Sequence, residues 1–496
     1  MNSYQPITER PCAMTRHQQR LGVPAVALAS VLAVSACNFD VINPGPIQDE
    51  FLDSLTAHAA LVNGMQRAYQ DAADWIYYWG AAMSFEINPA GSTGSFGIPA
   101  NVQNGKMDPD DGSDRWDDGQ NARWVAEDGI RRFERVYDPA VFAATLHVAR
   151  GYMWAGYANR MLGENFCEAT LDGGSREAHT VFLTRAEQHF TNAISVGAAV
   201  GGTNGTAVVN AATAGRASVR ATLATLNGNN TATWAAAATD AAAVTSNTFV
   251  FQLPNSSQDL NQYNHYMWAG SAAGVTQGSP YRAHTQWGTY YEDYYTTTGD
   301  TRVPFVIARN SAGALLRGDA NVGRFGTNCT KNIGTEVLCA LSLRVPFLPQ
   351  AKFTAQTTPT NLSSGWEMRL IRAEERLVNS DIVGAMNLIN ARRQSLTPVQ
   401  PDYDGATMTL AEGWTALKSE RGLELWLEGR RLGDLRRWAA ASSPGTSYDG
   451  AYFVQSGVLT RTEEMAGVVG ASPPIPRDFC FPIGRAELET NPNLRP

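Results

Sequence analysis

The sequence predicts a mainly α-helical protein, built as a tetratricopeptide-like scaffold of helical pairs that carries one large, irregular, loop-rich region. Three observations lead there. Apolar residues recur at helical spacing through residues 50–82, 184–226 and 414–438. Arg220-Ala221 is followed by Leu226-Asn227, and Arg372-Ala373 is followed at the same offsets by Val378-Asn379, each time leading into a further helical run. Between these repeats, residues 250–360 lose helical periodicity while Gly, Thr, Asn, Ser and Tyr rise. One helical pair cannot bury its own apolar face, so stacked pairs with small residues at the crossings are the expected solution.

Length allows two or three domains. Continuity of the helical pattern favours a single domain over residues 50–496, with helical repeats in about 50–250 and 362–440 and the loop-rich insert in about 250–360. A net charge of −8 and a pI near 5.5 argue against a nucleic-acid partner. The N-terminus reads as an address. Arg10, Arg16 and Arg20 precede an apolar run from Leu21 to Ala36, and Val34-Ser35-Ala36-Cys37 resembles a bacterial lipobox. Residues 1–36 are thus expected to be a lipoprotein signal peptide, with Cys37 acylated (palmitate among its chains). The alternatives are a membrane anchor or an ordinary signal with an incidental cysteine; the run is short for a span. Residues 37–49, containing Asn43-Pro44-Gly45-Pro46, form an extended tether.

Residues 50–82 read as a helix closed by Trp75, Tyr77, Tyr78 and Trp79, which are assigned to the core rather than to a ligand. Residues 88–120 read as a loop. Its aspartates, Asp108 to Asp118, fail the EF-hand register because Gly112 and Gly119 stand where oxygen ligands belong, so no metal is expected. Long loops tend to carry function, which makes Trp116 and its neighbour Arg115 candidate ligand contacts. A helix is expected from Ala140 to Leu162, capped by Gly163. Four cysteines remain in the mature chain. Cys329 and Cys339 close a short loop and form the natural pair, leaving Cys167 with Cys480. The insert supplies flat amphipathic rings, and sugars present apolar C–H faces that stack on them; Trp268, Tyr281, Trp287, Tyr290 and Tyr291 are its candidate ligand contacts.

The stretch from Trp414 to Trp438 is densely charged. Glu420, Glu424 and Glu428 fall one turn apart, with Arg421, Arg431, Asp434, Arg436 and Arg437 on adjacent faces. Gly429 and Gly433 predict a break near Glu428-Gly429-Arg430-Arg431. Carboxylates stacked along one helix suit an ion-pair lattice better than acid–base chemistry, which needs groups facing each other across a substrate. Glu420, Arg421, Glu424, Leu425, Glu428, Gly429, Arg431, Asp434, Leu435, Arg436, Arg437 and Trp438 resemble the C-terminal helix signature of SusD/RagB outer-membrane nutrient-binding lipoproteins. The tail resembles that family's ending at Pro482, Ile483, Glu487, Leu488 and Asn491 to Leu494, with Gly484 in place of a proline.

The resemblance implies a SusD-like fold and a lipid-anchored, surface-exposed protein of a bacterial outer membrane. It also implies a glycan or oligosaccharide ligand delivered to a SusC-like, TonB-dependent β-barrel transporter, with no cofactor and no catalysis. Two other readings stay open: an extracellular glycoside hydrolase, and a non-catalytic surface assembly protein that uses its helical repeats for protein contacts.

Overall fold

Helix α1 (His58–Met83) follows a 3-10 turn at Leu55–Ala57, and its second half is buried almost all round, from Ala72 and Ile76 to Met83. A helix enclosed on every side must be central, and three later helices pack on it. In the computed structural model the described residues are 49–89, 98–99, 102, 105–244, 246–258, 264, 271, 284–286, 289–307, 331–333, 336–338, 348–446 and 478–495. Leu52–Pro496 form one compact unit.

Helix α2 (Pro109–Val136) corrects the expected loop at 88–120. Asp108 is extended and precedes a proline in the first turn, and Asp110 and Asp111 complement the positive helix end. The aspartates that suggested a loop lie at the start and on the more open side of a helix, whereas Gly112 and Gly119 are buried, a Cβ at Gly119 standing 2.7 Å from the Leu162 side chain. Its buried side includes Trp116, Ala122, Ala126, Ile130 and Phe133. Helix α3 (Leu146–Asn165) starts later than expected, after a separate four-residue helical turn at Pro139–Phe142. It also runs past Gly163, which is no cap: a Cβ there would lie 2.7 Å from the Leu183 side chain, so glycine allows α4 to approach.

Helices α4 (Thr180–Val200), α5 (Gly202–Leu226) and α6 (Thr231–Ala243) continue the array, each packed on its predecessor. Alanines at the α5–α6 crossing, from Ala214 and Ala217 to Ala237 and Ala241, bring those backbones together around Trp234. The chain re-enters the array through an antiparallel pair of strands, Val250–Leu253 and Thr360–Ser364. Helices α8 (Gly365–Val378) and α9 (Ile382–Arg393) then pack on each other and on α6 and α10 (Leu410–Glu424). Their starts carry side-chain caps: Ser364 accepts from the Glu367 amide, Asp381 from the Gly384 amide, and Thr409 forms a capping box with Glu412. The insert holds one helix the sequence reading did not assign, α7 (Tyr290–Thr298), capped by the Thr289 hydroxyl and ended by a left-handed Gly299.

The predicted break in the charged stretch is a six-residue elbow, 425–430, between α10 and α11 (Arg431–Ala440). Leu427 and Gly429 both have positive φ, 59° and 71°. Glu86, just beyond α1, holds the costly non-glycine position: its carboxylate accepts from the Leu427 amide at 2.8 Å, and its carbonyl accepts from the Trp426 indole at 3.1 Å. The tail crosses back to the end of α3. Phe166 and Phe481 form a parallel bridge, and the Cys167–Cys480 disulfide fastens it. That cross-link closes a 313-residue separation. Cys37, Cys329 and Cys339 lie outside the described residues.

A Cβ on Gly429 would stand 2.1 Å from the Tyr77 ring in a left-handed conformation. Gly429→Ala should therefore destabilise the protein by about 3 kcal/mol, combining backbone strain and overpacking. Thermal unfolding of the variant checks this; an unchanged melting temperature would mean that the elbow does not depend on the close approach.

Candidate functional site

Trp75, Tyr78 and Trp79 lie at i, i+3 and i+4 on α1, so they form one aromatic flank. Tyr78 and Trp79 are buried and Trp75 is half-buried. Arg115, in the second turn of α2, lays its guanidinium over both indoles, 4.8 Å from the Trp75 ring and 5.1 Å from the Trp79 ring. It is only 8% exposed. Its nearest anions are loose, with Nη2 at 3.6 Å from Asp114 and 3.9 Å from Asp118. Its Nε and Nη1 have no hydrogen-bond partner among the described residues, nor has the Trp79 indole N–H. Burial lowers the Arg115 pKa, opposed by Asp118 and Asp114, and burial raises the Asp118 carboxyl against the pull of Arg115.

The insert reaches the same flank. A short strand at Asn88–Pro89 pairs antiparallel with one at His284–Thr285, and the His284 ring meets Tyr78 edge-on at 5.7 Å. His284 is fully buried and neither ring nitrogen is hydrogen-bonded among the described residues; burial alone lowers its pKa to about 3. It is therefore a neutral ring at any physiological pH. The result is a half-exposed indole, a guanidinium held flat with N–H groups unspent, and two nearby carboxylates. These are the group types that stack on a sugar ring and bond its hydroxyls.

The candidates predicted from sequence divide. Arg115 and the α1 aromatics are brought together. Trp116 is placed in the core: it is 1% exposed, packs edge-on against Phe166 at 5.2 Å and lies beside Gly484 of the tail. One residue of helix rotation, invisible while the segment reads as a loop, separates the two roles. Tyr291 is likewise buried, tilted against Trp426 at 5.6 Å. Tyr290 is half-buried and packs on Tyr294 at 5.6 Å, so α7 stands on the elbow that Glu86 holds. Trp268, Tyr281 and Trp287 lie outside the described residues. Sequence reasoning assigned Trp75 to the core and did not single out His284 as a packing group. An amphipathic count that ends α1 in a ring of aromatics gives no sign that one of them is only half-buried.

The charged stretch is spent on structure. Arg302 bonds Glu420 at 2.7 Å and Glu424 at 3.3 Å, and Arg393 also bonds Glu420. Arg392 bonds Glu424 at 2.7 Å, and Lys352 bonds Glu428 at 2.8 Å. Arg421 and Arg437 hold Asp434, Arg431 donates to the Lys418 carbonyl, and Arg436 donates to the carbonyls of Gly163 and Phe166 at the end of α3.

Residues 367–495 match the model of the SusD family. Over most of its length the chain has the fold of solved SusD-superfamily structures. It is 15% identical to a SusD homologue from Bacteroides thetaiotaomicron VPI-5482, covering 90% of this chain and 97% of that one with a TM-score of 0.60. It is 12% identical to B. fragilis NanU, covering 92% and 99% with a TM-score of 0.59. A SusD-superfamily protein from Bacteroides vulgatus ATCC 8482 is 15% identical, covering 88% and 97% with a TM-score of 0.53. No curated relative matches the chain.

A histidine whose pKa falls from 6.5 to about 3 on folding stabilises the protein above pH 6.5 and loses that contribution as pH falls toward 3. His284→Phe keeps the edge-on contact to Tyr78 and removes the titration. Between pH 6.5 and 4 the wild type should lose stability faster than the variant, by about 1.4 kcal/mol per pH unit. Parallel acid-unfolding curves would refute the buried, neutral histidine.

Proposed function

With the SusD/RagB pattern in its C-terminal residues and the SusD-superfamily fold over most of its length, this chain is a SusD/RagB family protein, and we propose that it binds a glycan at the bacterial cell surface and passes it to a SusC-like, TonB-dependent outer-membrane transporter. Lipid attachment through Cys37 would hold it at the membrane, and no described helix is long and apolar enough to cross one. Family membership supports the setting. The observation that carries ligand capture is the guanidinium of Arg115, stacked across Trp75 and Trp79 with two N–H groups unspent. Desolvated donors without partners are costly, and a ligand hydroxyl that reaches them recovers that cost on binding.

Capture without turnover fits the carboxylates. A glycosidase needs two carboxyl groups facing each other across a sugar. Here the Glu420, Glu424 and Glu428 row is bound up by Arg302, Arg392, Arg393 and Lys352.

Trp75→Ala and Arg115→Ala should each weaken binding of a neutral oligosaccharide about tenfold or more, since stacking and hydrogen bonds to a charged donor each contribute more than about 1 kcal/mol. Titration calorimetry on the mature protein, with melting temperature followed in parallel, tests this. Full-strength binding by both folded variants would remove the site from this flank, and hydrolysis of the oligosaccharide would revive the enzyme reading. Co-purification with a large β-barrel is the expected result for the transporter.

A further inference from the structure

On α8 the side chains that escape burial between Trp366 and Arg376 are Trp366, Arg369, Arg372, Glu375 and Arg376. The three arginines and the tryptophan recur every three or four residues, so they form one row along the helix. At 1.5 Å per residue, Arg369 to Arg376 spans about 10 Å.

Helix α9 adds to the row. The Arg392 guanidinium lies 4.8 Å from the Trp366 ring centre and that of Arg369 lies 5.5 Å from it, so one indole holds two guanidinium planes. Stacking fixes those planes; Arg392 spends its Nε on Glu424, whereas Arg369 donates only its Nε, to Asn247, among the described residues, which leaves its Nη groups for a planar anion.

Two of these four arginines, Arg369 and Arg372, have no carboxylate partner among the described residues. Arg369 donates to the neutral amide of Asn247 at 2.6 Å. Arg372 makes no hydrogen bond or ion pair among the described residues. Arg376 pairs with Asp381 at 3.0 Å and lies 3.9 Å from Glu375, and Arg392 pairs with Glu424 at 2.7 Å. In a chain of net charge −8, an under-compensated arginine row is a local reversal.

We propose that this face of α8 is a second binding site, for an acidic polysaccharide whose sugars carry carboxylates. A narrow row of planar donors beside a half-buried indole suits a single extended chain. A broad anionic surface such as a bilayer would also have to approach the net negative charge of the rest of the molecule. The proposal deepens the glycan-binding reading by adding a charged ligand class, and the two sites fail separately because they share no residue.

The test is calorimetric titration of the mature protein with an oligogalacturonate and, in parallel, with a neutral malto-oligosaccharide of equal length. The acidic oligomer should bind the wild type, and that binding should weaken sharply in about 0.5 M salt. The double variant Arg369→Gln/Arg372→Gln should weaken it about tenfold or more while leaving neutral-ligand binding and melting temperature unchanged. Trp75→Ala should leave acidic binding intact. Should the double variant fail to fold, Arg372→Gln alone carries the same expectation with a smaller loss. Acidic binding that is absent from the wild type or unaltered in the arginine variants overturns the proposal. So does co-sedimentation with phosphatidylglycerol vesicles in the absence of oligogalacturonate binding.

Discussion

The elements are held in mutual register by a lattice of buried, alternating charges centred on the elbow between α10 and α11. Glu367, at the start of α8, is shared by Arg160 of α3 at 3.4 Å, Arg430 of the elbow at 2.8 Å and the Ser218 hydroxyl of α5 at 2.6 Å. Glu164 receives Arg160 and Arg430, and Glu374 receives Arg437 and the Trp438 indole. Removing such groups from water costs several kcal/mol per ion, and the attraction repays it only when each charge finds several partners. The balance is visible in the titrations. Burial raises the Glu164 carboxyl although Arg160 opposes it, whereas Arg421 and Arg437 outweigh burial at Asp434 and lower it. A lattice so finely balanced contributes less to net stability than to choosing one arrangement of helices over others.

That choice positions the ligand flank. The lattice fixes the elbow, the elbow puts Gly429 against Tyr77 and Trp426 under Tyr291, and Glu86 ties both to the end of α1. The Trp75–Arg115 stack therefore sits on helices whose placement is decided elsewhere. Shared ion pairs couple five helices but touch neither indole, so changes at the flank and changes in the lattice act on different free energies.

The charged stretch was legible because its spacing has one physical meaning: carboxylates a turn apart, flanked by arginines, cannot face each other and must face partners. The elbow was legible for a related reason, since two glycines inside a helical pattern are costly unless a turn uses them. The Cys167–Cys480 pairing was reached by elimination and is present. Helix α2 was not legible, because its first turns are rich in aspartate and glycine, which also build loops. Missing that helix put Trp116 beside Arg115 as a ligand contact, although rotation about the axis sends one to the core and the other to the flank. Helix α7 was hidden by threonine and tyrosine, weak helix formers that tertiary packing on Trp426 overrides. The arginine row on α8 was visible as sequence, but its meaning lies in which carboxylates are already taken.

That last distinction separates the two kinds of arginine in this chain. Arg160, Arg421, Arg430 and Arg437 are buried and paired with carboxylates of the lattice. Arg115 and Arg369 are instead flattened against indoles, and their best partners are distant or neutral. Stacking on an aromatic face orients a guanidinium without consuming its hydrogen bonds, whereas pairing with a carboxylate consumes them. A protein that must hold its own helices in register and still capture a hydroxyl-rich or anionic chain needs both states of the same side chain. The neighbour that each arginine is given, carboxylate or indole, decides which state it occupies.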